Sequence, residues 1–438
     1  MRRAPKGRIR MSTMHRHRVT RTFIAIMALL LSVSAGGVGA TTRAASVRGG
    51  AAQEAPGTLY TETNTPGHNQ VVAYHRAADG SLSMLGTYDT GGAGTGVYED
   101  SNTMLVLGST AGQSSPVDLG GGADLLFVAN AGSNDISVFK AQPQGRLTLV
   151  TRQPSGGDRP TSLTVRNGLL YVMDSGGGIF PGEGSCFAGK PTISGFRVAA
   201  SGQLTPIPGS TRRLSAGPGS GCNQITFNPS GAVLLVSQFA ANRIDTFTVG
   251  PDGIARGPIT NVPVPSGPFG LNFDQQGRLL TTEEFQGLTG RGGVVSYRIG
   301  GDGHLQPIGG FVPNGETETC WIVPTPDGRY AYTSSFGPLP SQPAPMAARH
   351  GAISSYRLRD DGTLEVLNPR AGQIDFGAAD ITLAGGGRYL YALNAAEGTI
   401  TGWRIGSDGS LTLVATVGGI TASPFGPLSG GLAARDNM

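Results

Sequence analysis

One hairpin signature recurs seven times along this chain, and that recurrence restricts the possible folds more than any other feature. A β-branched residue is followed three positions later by an aromatic, and six positions after that by glycine. The triplets are Val71/Tyr74/Gly80, Ile136/Phe139/Gly145, Ile193/Phe196/Gly202, Ile244/Phe247/Gly253, Val294/Tyr297/Gly303, Ile353/Tyr356/Gly362 and Ile400/Trp403/Gly409. Asp precedes the glycine in five of the seven, and Leu stands two residues after it in six. Asp-Gly reads as a tight turn because glycine accepts positive φ without steric cost. Residues three apart on a strand point to opposite faces. Each signature strand is therefore apolar on both sides, and its sheet must be covered on both sides. Blades packed between two neighbours in a ring meet that demand, and glycines 47 to 65 residues apart suit four-stranded blades with loop insertions.

A second pair of strands precedes most hairpins, as in Gln224–Phe227 and Leu234–Val236 around the turn Asn228-Pro229-Ser230-Gly231, with similar pairs at 269–284, 320–335 and 379–394. The first hairpin has only one strand before it, Thr58–Thr63, while the last is followed by a further strand-like piece, Leu428–Ala434. The expected fold is all-β: a seven-bladed β-propeller of four-stranded antiparallel blades, with the C-terminal strand completing the N-terminal blade so that no sheet edge stays open. A β-helix would not need this complementarity. Insertions fall mostly between second and third strands, at 175–191, 285–292 and 336–350, and so gather on one rim; 108–121 belongs to the opposite rim. The prolines at 338, 340, 343 and 345 stiffen one of these loops.

Composition agrees: 71 Gly and 29 Pro among 438 residues speak for many turns, and 38% hydrophobic residues suffice for a core. The net charge of +4 is misleading. Eight basic residues and no acidic one lie in 1–40, where an arginine-rich stretch precedes the apolar run 23–33 and the small residues Val38-Gly39-Ala40. That is the layout of a secretory signal peptide of the general export type, with an uncleaved anchor as the alternative. Without it, 25 basic against 29 acidic residues leave −4. The expected organisation is a signal peptide at 1–40, a flexible linker at 41–56 and a propeller at 57–438, in a secreted monomer not held in a membrane after cleavage. Lysine occurs only at 6, 140 and 190, so no dense basic patch remains for nucleic acid.

Cys186, in the long loop of the third repeat, and Cys222, leading into the fourth, lie on the same expected rim, and in an exported protein they can pair. Cys320 beside Trp321 reads as a small buried hydrophobe. His68, His75, His304 and His350 share no metal-ligand spacing; neither a metal nor another cofactor is expected.

Several segments resemble a known family. Phe127-Val128-Ala129-Asn130, Ser133-Asn134-Asp135-Ile136, Thr325-Pro326-Asp327-Gly328-Arg329-Tyr330-Ala331-Tyr332 and Asp408-Gly409-Ser410-Leu411 look like repeats of the lactonase family of seven-bladed propellers, which includes propeller-type 6-phosphogluconolactonases and carboxymuconate cyclases. The resemblance spans roughly 57–435 and is nearest to exported, actinobacterial-type members. It implies lactone chemistry at one rim, but the family's catalytic positions differ here. The family's Pro-Arg-His before Phe-x-Pro reads Cys222-Asn223-Gln224 in this chain, and its Asn-Glu-Leu reads Ser237-Gln238-Phe239. Its Ser-Asn-Arg aligns with Glu283-Glu284-Phe285, and its Pro-His with Pro160-Thr161. A glutamine cannot exchange a proton near neutral pH.

What remains is one polar residue per blade at the end of the second strand: Asn130, Asp174, Gln238, Glu284, Ser335, Asn394 and Asn64. These read either as turn caps or as ligand contacts. The expected ligand-binding set is Gln224, Gln238, Glu284, Asn130, Asp174 and Asn394, with Glu284 the candidate catalytic group and Arg291 a candidate anion contact. The expected function is binding of a small polar or cyclic ligand, or of a protein partner, at the insertion-rich rim. The alternative is a lactone-hydrolysing enzyme with an altered active site.

Overall fold

The computed structural model describes residues 55–96, 105–108, 125–177, 186, 189–338, 350–374, 377–420 and 430–436. The expected signal peptide, most of the expected linker and the greater part of the 108–121, 175–191 and 336–350 insertions lie outside these residues.

The strands form seven antiparallel sheets in a closed circle. Blade 4 shows the pattern: Cys222–Phe227 lies innermost, followed outward by Val233–Gln238, Arg243–Val249 and Ala255–Asn261. In blade 3 the outermost strand is broken into Leu204–Pro206 and Arg212–Arg213. In blade 1 the innermost strand is the last of the chain, Gly430–Asp436, paired antiparallel with Gly57–Glu62. The ring is thus closed by the C-terminal strand.

Seven buried apolar clusters fill the seven interfaces between blades, and every signature strand feeds two of them. Ile193 packs with Phe227 and Phe247 toward blade 4, while Phe196, three residues on, packs with Phe127 and Val138 toward blade 2. The period-two alternation of a strand converts one sequence triplet into a two-sided core contact.

The hairpin glycines hold the blades together at one rim. Gly80 has φ 89°, open to glycine at no cost, and its missing side chain leaves room for the ring of Tyr389 from blade 7. The Tyr391 hydroxyl donates to the Gly80 carbonyl at 2.7 Å, as Tyr171 does to Gly253 at 2.7 Å and Tyr332 to Gly409 at 3.0 Å. Thr246 and Ser296 make the same bond to Gly303 and Gly362, each at 2.7 Å. The junction between blades 7 and 1 therefore uses the fastening found elsewhere in the ring.

Closure has additional anchors. The Asp436 carboxylate accepts from the buried Arg76 guanidinium at 2.6 Å and from the Gly385 and Gly386 amides, each at 2.9 Å. The Asp380 carboxylate in blade 7 accepts from the Leu432 amide at 2.7 Å. One aspartate on each side thus ties the last strand to its neighbour.

Candidate functional site

The opposite rim carries the second-to-third strand loops and the connections between blades, and here the repeats diverge. The residue one step past the partner of each signature residue occupies an equivalent place: Asn130, Asp174, Gln238, Glu283, Ser335 and Asn394 at the ends of their second strands, and Thr63 in blade 1, where Val71 pairs with Glu62. Two of these differ from the sequence reading. In blade 5 the strand Leu279–Glu283 ends one residue early, because Glu284 turns into an α-region conformation (φ −96°, ψ −9°) and starts a short 3-10 turn. In blade 1 the position falls to Thr63, whose amide donates to the Gln70 carbonyl at 2.9 Å; Asn64, at φ 47°, lies in the following turn. Two adjacent glutamates look alike in a sequence, and only the ladder, which pairs Glu283 with Gly293, separates them.

Strand alternation aims these side chains at the preceding blade. The Ser237 hydroxyl donates to the Phe269 carbonyl of blade 5 at 2.6 Å, so Gln238 faces blade 3. The Thr282 hydroxyl donates to the Cys320 carbonyl of blade 6 at 2.7 Å, so Glu283 faces blade 4. The two do not face each other.

All seven are fully or almost fully buried, yet their surroundings differ. Asn130 accepts from Asn69 at 3.0 Å and donates to Asp135 at 2.7 Å and Ser137 at 2.8 Å. Thr63 donates to the same Asn69 at 3.4 Å while its neighbour Glu62 accepts from it at 3.0 Å, Ser335 shares a bond with Thr319 at 3.0 Å, and Asn394 donates to Thr399 and Thr401 at 3.2 and 3.1 Å. In the arc of blades 3 to 5 this support thins. Asp174 accepts from the Ser155 hydroxyl at 2.6 Å with one oxygen, and its other oxygen has no partner among the described residues. Among these residues, every polar side-chain atom of Gln238 and Glu283 is likewise buried without a partner. Burial, reinforced by the Asp158 charge and opposed by the Ser155 hydroxyl, pushes the Asp174 carboxyl up to about 7. Burial alone holds Glu283 well above the ordinary carboxylate range.

The remaining candidates take up other roles. Gln224, on the innermost strand of blade 4, accepts from the Leu271 amide at 2.7 Å and borders the central channel. The Glu284 carboxylate caps its own turn, accepting from the Gly287 amide at 3.1 Å. Arg291 lays its guanidinium over Phe285, 5.5 Å from the ring centroid, on the exposed side of the same insertion. Cys186 and Cys222 are joined by a disulfide with Cα atoms 5.4 Å apart, which fastens the blade 3 insertion to the innermost strand of blade 4 beside Gln238. Cys320 is buried and free.

The channel is lined by the innermost strands of all seven blades. Leu163, Ile225, Leu271 and Ile322 supply apolar wall, while Thr164, Gln224, Asn272 and Thr382 supply uncharged polar groups. Among the described residues no group of three or more His, Cys, Asp or Glu gathers in a way that could hold a metal, and none of their helices is long and apolar enough to cross a membrane.

The ring and its divergent rim define the class: a closed seven-bladed propeller whose repeats diverge on one face. No family model matches the chain. It is 23% identical over 310 residues to a 6-phosphogluconolactonase of Serratia proteamaculans, covering 65% of this chain and 78% of that one. A 6-phosphogluconolactonase of Cronobacter sakazakii is 23% identical over 301 residues, with 66% and 79% covered. Among solved structures, the periplasmic gluconolactonase PpgL of Pseudomonas aeruginosa shares the fold with a TM-score of 0.57 at 15% identity, over 87% of this chain and 99% of that one. The solved structure shows a shared fold, and the two 6-phosphogluconolactonases are what this chain resembles in sequence over about two thirds of its length.

Proposed function

We propose that this protein is an exported lactonase-type propeller that handles a lactone on the blade 3 to 5 arc of its divergent rim. The observation that supports this reading is the run of Asp174, Gln238 and Glu283 in consecutive blades, buried with polar atoms that none of the described residues satisfies. An unpaired buried carboxyl or amide costs stability, so these unpaired atoms contribute nothing to holding the fold. Carboxyls that keep their proton toward neutral pH suit a general acid. In lactone hydrolysis water adds to the carbonyl carbon and the ring C–O bond breaks. The acid gives its proton to the departing ring oxygen, and a proton from the attacking water returns to the carboxylate. Glu283 or Asp174 can take that role, with Gln224 and Gln238 as amide contacts to the ligand. Glu284, Asn130 and Asn394 then shape the rim, each through the hydrogen bonds above. Export is supported by the basic and apolar N-terminal pattern and by the Cys186–Cys222 bond, which suits an oxidising compartment.

A second reading keeps the rim as a binding surface without chemistry, for a small cyclic ligand or a protein partner. It is favoured by the amide at Gln238 and by the burial of every candidate side chain. A pH-stat assay of the mature protein on a lactone panel separates the two. The lactonase reading expects acid release well above buffer hydrolysis, reduced at least roughly 100-fold in whichever of Asp174→Asn and Glu283→Gln removes the acid. Release no faster than buffer, with a lactone analogue still bound, selects the binding reading.

A further inference from the structure

Charge is distributed unevenly on the divergent rim. Four carboxyl residues, Glu62, Asp174, Glu283 and Glu284, lie at or beside the ring of strand ends, and that ring holds no Lys, Arg or His. Among the described residues, the channel below it is lined by apolar and uncharged polar groups. The nearby arginines are already committed. Arg370 makes a bidentate pair with Glu316 at 2.7 and 2.8 Å, Arg152 lies 3.5 Å from Asp135, Arg243 donates to Ser215 at 3.3 Å, and Arg159 is buried and engaged. Lys190 and Arg291 are exposed on the insertions of blades 3 and 5, outside the channel lining.

A phosphate or carboxylate on a ligand needs a cation or a cluster of N–H donors to replace its water. Among the described residues neither the ring nor the channel lining provides a cation, and any ionised rim carboxylate repels an anion. The uncharged lining instead offers an amide, hydroxyls and apolar surface, the groups that suit the hydroxyl-bearing face of a neutral sugar ring.

We infer that the lactone taken by this protein carries no ionised group: its substrate class is an uncharged sugar lactone rather than a phosphorylated or carboxylated one. The inference rests on the lactonase reading above and departs from the phosphorylated substrate in its curated relatives' names.

The test compares glucono-1,5-lactone with its 6-phosphate on the mature protein at low and high ionic strength. The expected result is a kcat/KM at least roughly tenfold higher for the uncharged lactone. Its KM should not respond to salt, whereas that of the phosphate should fall as repulsion is screened. Calorimetric binding of the corresponding unreactive lactams should give the same order, which provides a readout independent of turnover. Arg291→Ala and Lys190→Ala should leave the neutral lactone's rate unchanged. A preference for the phosphate, or one that collapses in either variant, overturns the inference and identifies the anion's anchor while leaving the lactonase reading intact. Hydrolysis of neither lactone removes the lactonase reading itself, and the inference with it.

Discussion

The two rims of this ring are built on opposite rules. At the hairpin rim one arrangement is repeated: a glycine turn lies over the preceding blade, and at five junctions a hydroxyl donates to its carbonyl. At the other rim the equivalent strand ends carry acids, amides and a serine, some bonded within the protein and some not. A fold that repeats one fastening on one face and leaves acids unsatisfied on the other has separated what holds it together from what it can do.

That contrast can be tested first at Asp174, where the largest effect is expected. Its folded-state carboxyl titrates at about 7, above the ordinary value of 3.8. The stabilisation linked to its bound proton is fully present below the ordinary carboxylate range and is lost as pH rises through about 7. The difference amounts to roughly 4 kcal/mol. Urea unfolding across this range should show that loss in the wild type and a flatter profile in Asp174→Asn. Parallel profiles would mean that this rim is as well satisfied as the other.

At the hairpin rim, Gly80→Ala places a methyl group at φ 89° against the Tyr389 ring. A loss of about 3 kcal/mol in unfolding free energy is expected from strain and overlap together, with lactone turnover per folded molecule unaffected. A change in turnover would show that the rims are coupled. The smallest effect is expected from Tyr391→Phe, which removes the 2.7 Å bond to the Gly80 carbonyl. About 1 kcal/mol should be lost at neutral pH, and no measurable loss would mean that glycine packing alone fastens the ring.

The hairpin rim was legible in the sequence because its physics is local. Positive φ, a tight turn and opposite-facing residues three apart leave a fixed spacing, and seven copies define the blades. Closure was legible for a related reason, since a half-blade at each end of the repeat array must find its complement. The divergent rim was less legible. The reading selected Glu284, whereas the strand ends at Glu283, and a one-residue change decides whether a carboxyl is buried between blades or caps a turn. Nor did local spacing reveal that Asp380 and Asp436 anchor the last strand, because their partners lie about 50 residues away along the chain.

The shared first blade has a consequence for how the molecule is made. Gly57–Glu62 finds its inner neighbour only when Gly430–Asp436 arrives, so an unfinished chain presents an open strand edge at each end of its array. The first blade is therefore completed by pairing residues 369 apart in sequence, as in the bond from the Thr61 hydroxyl to the Gly430 carbonyl at 3.4 Å.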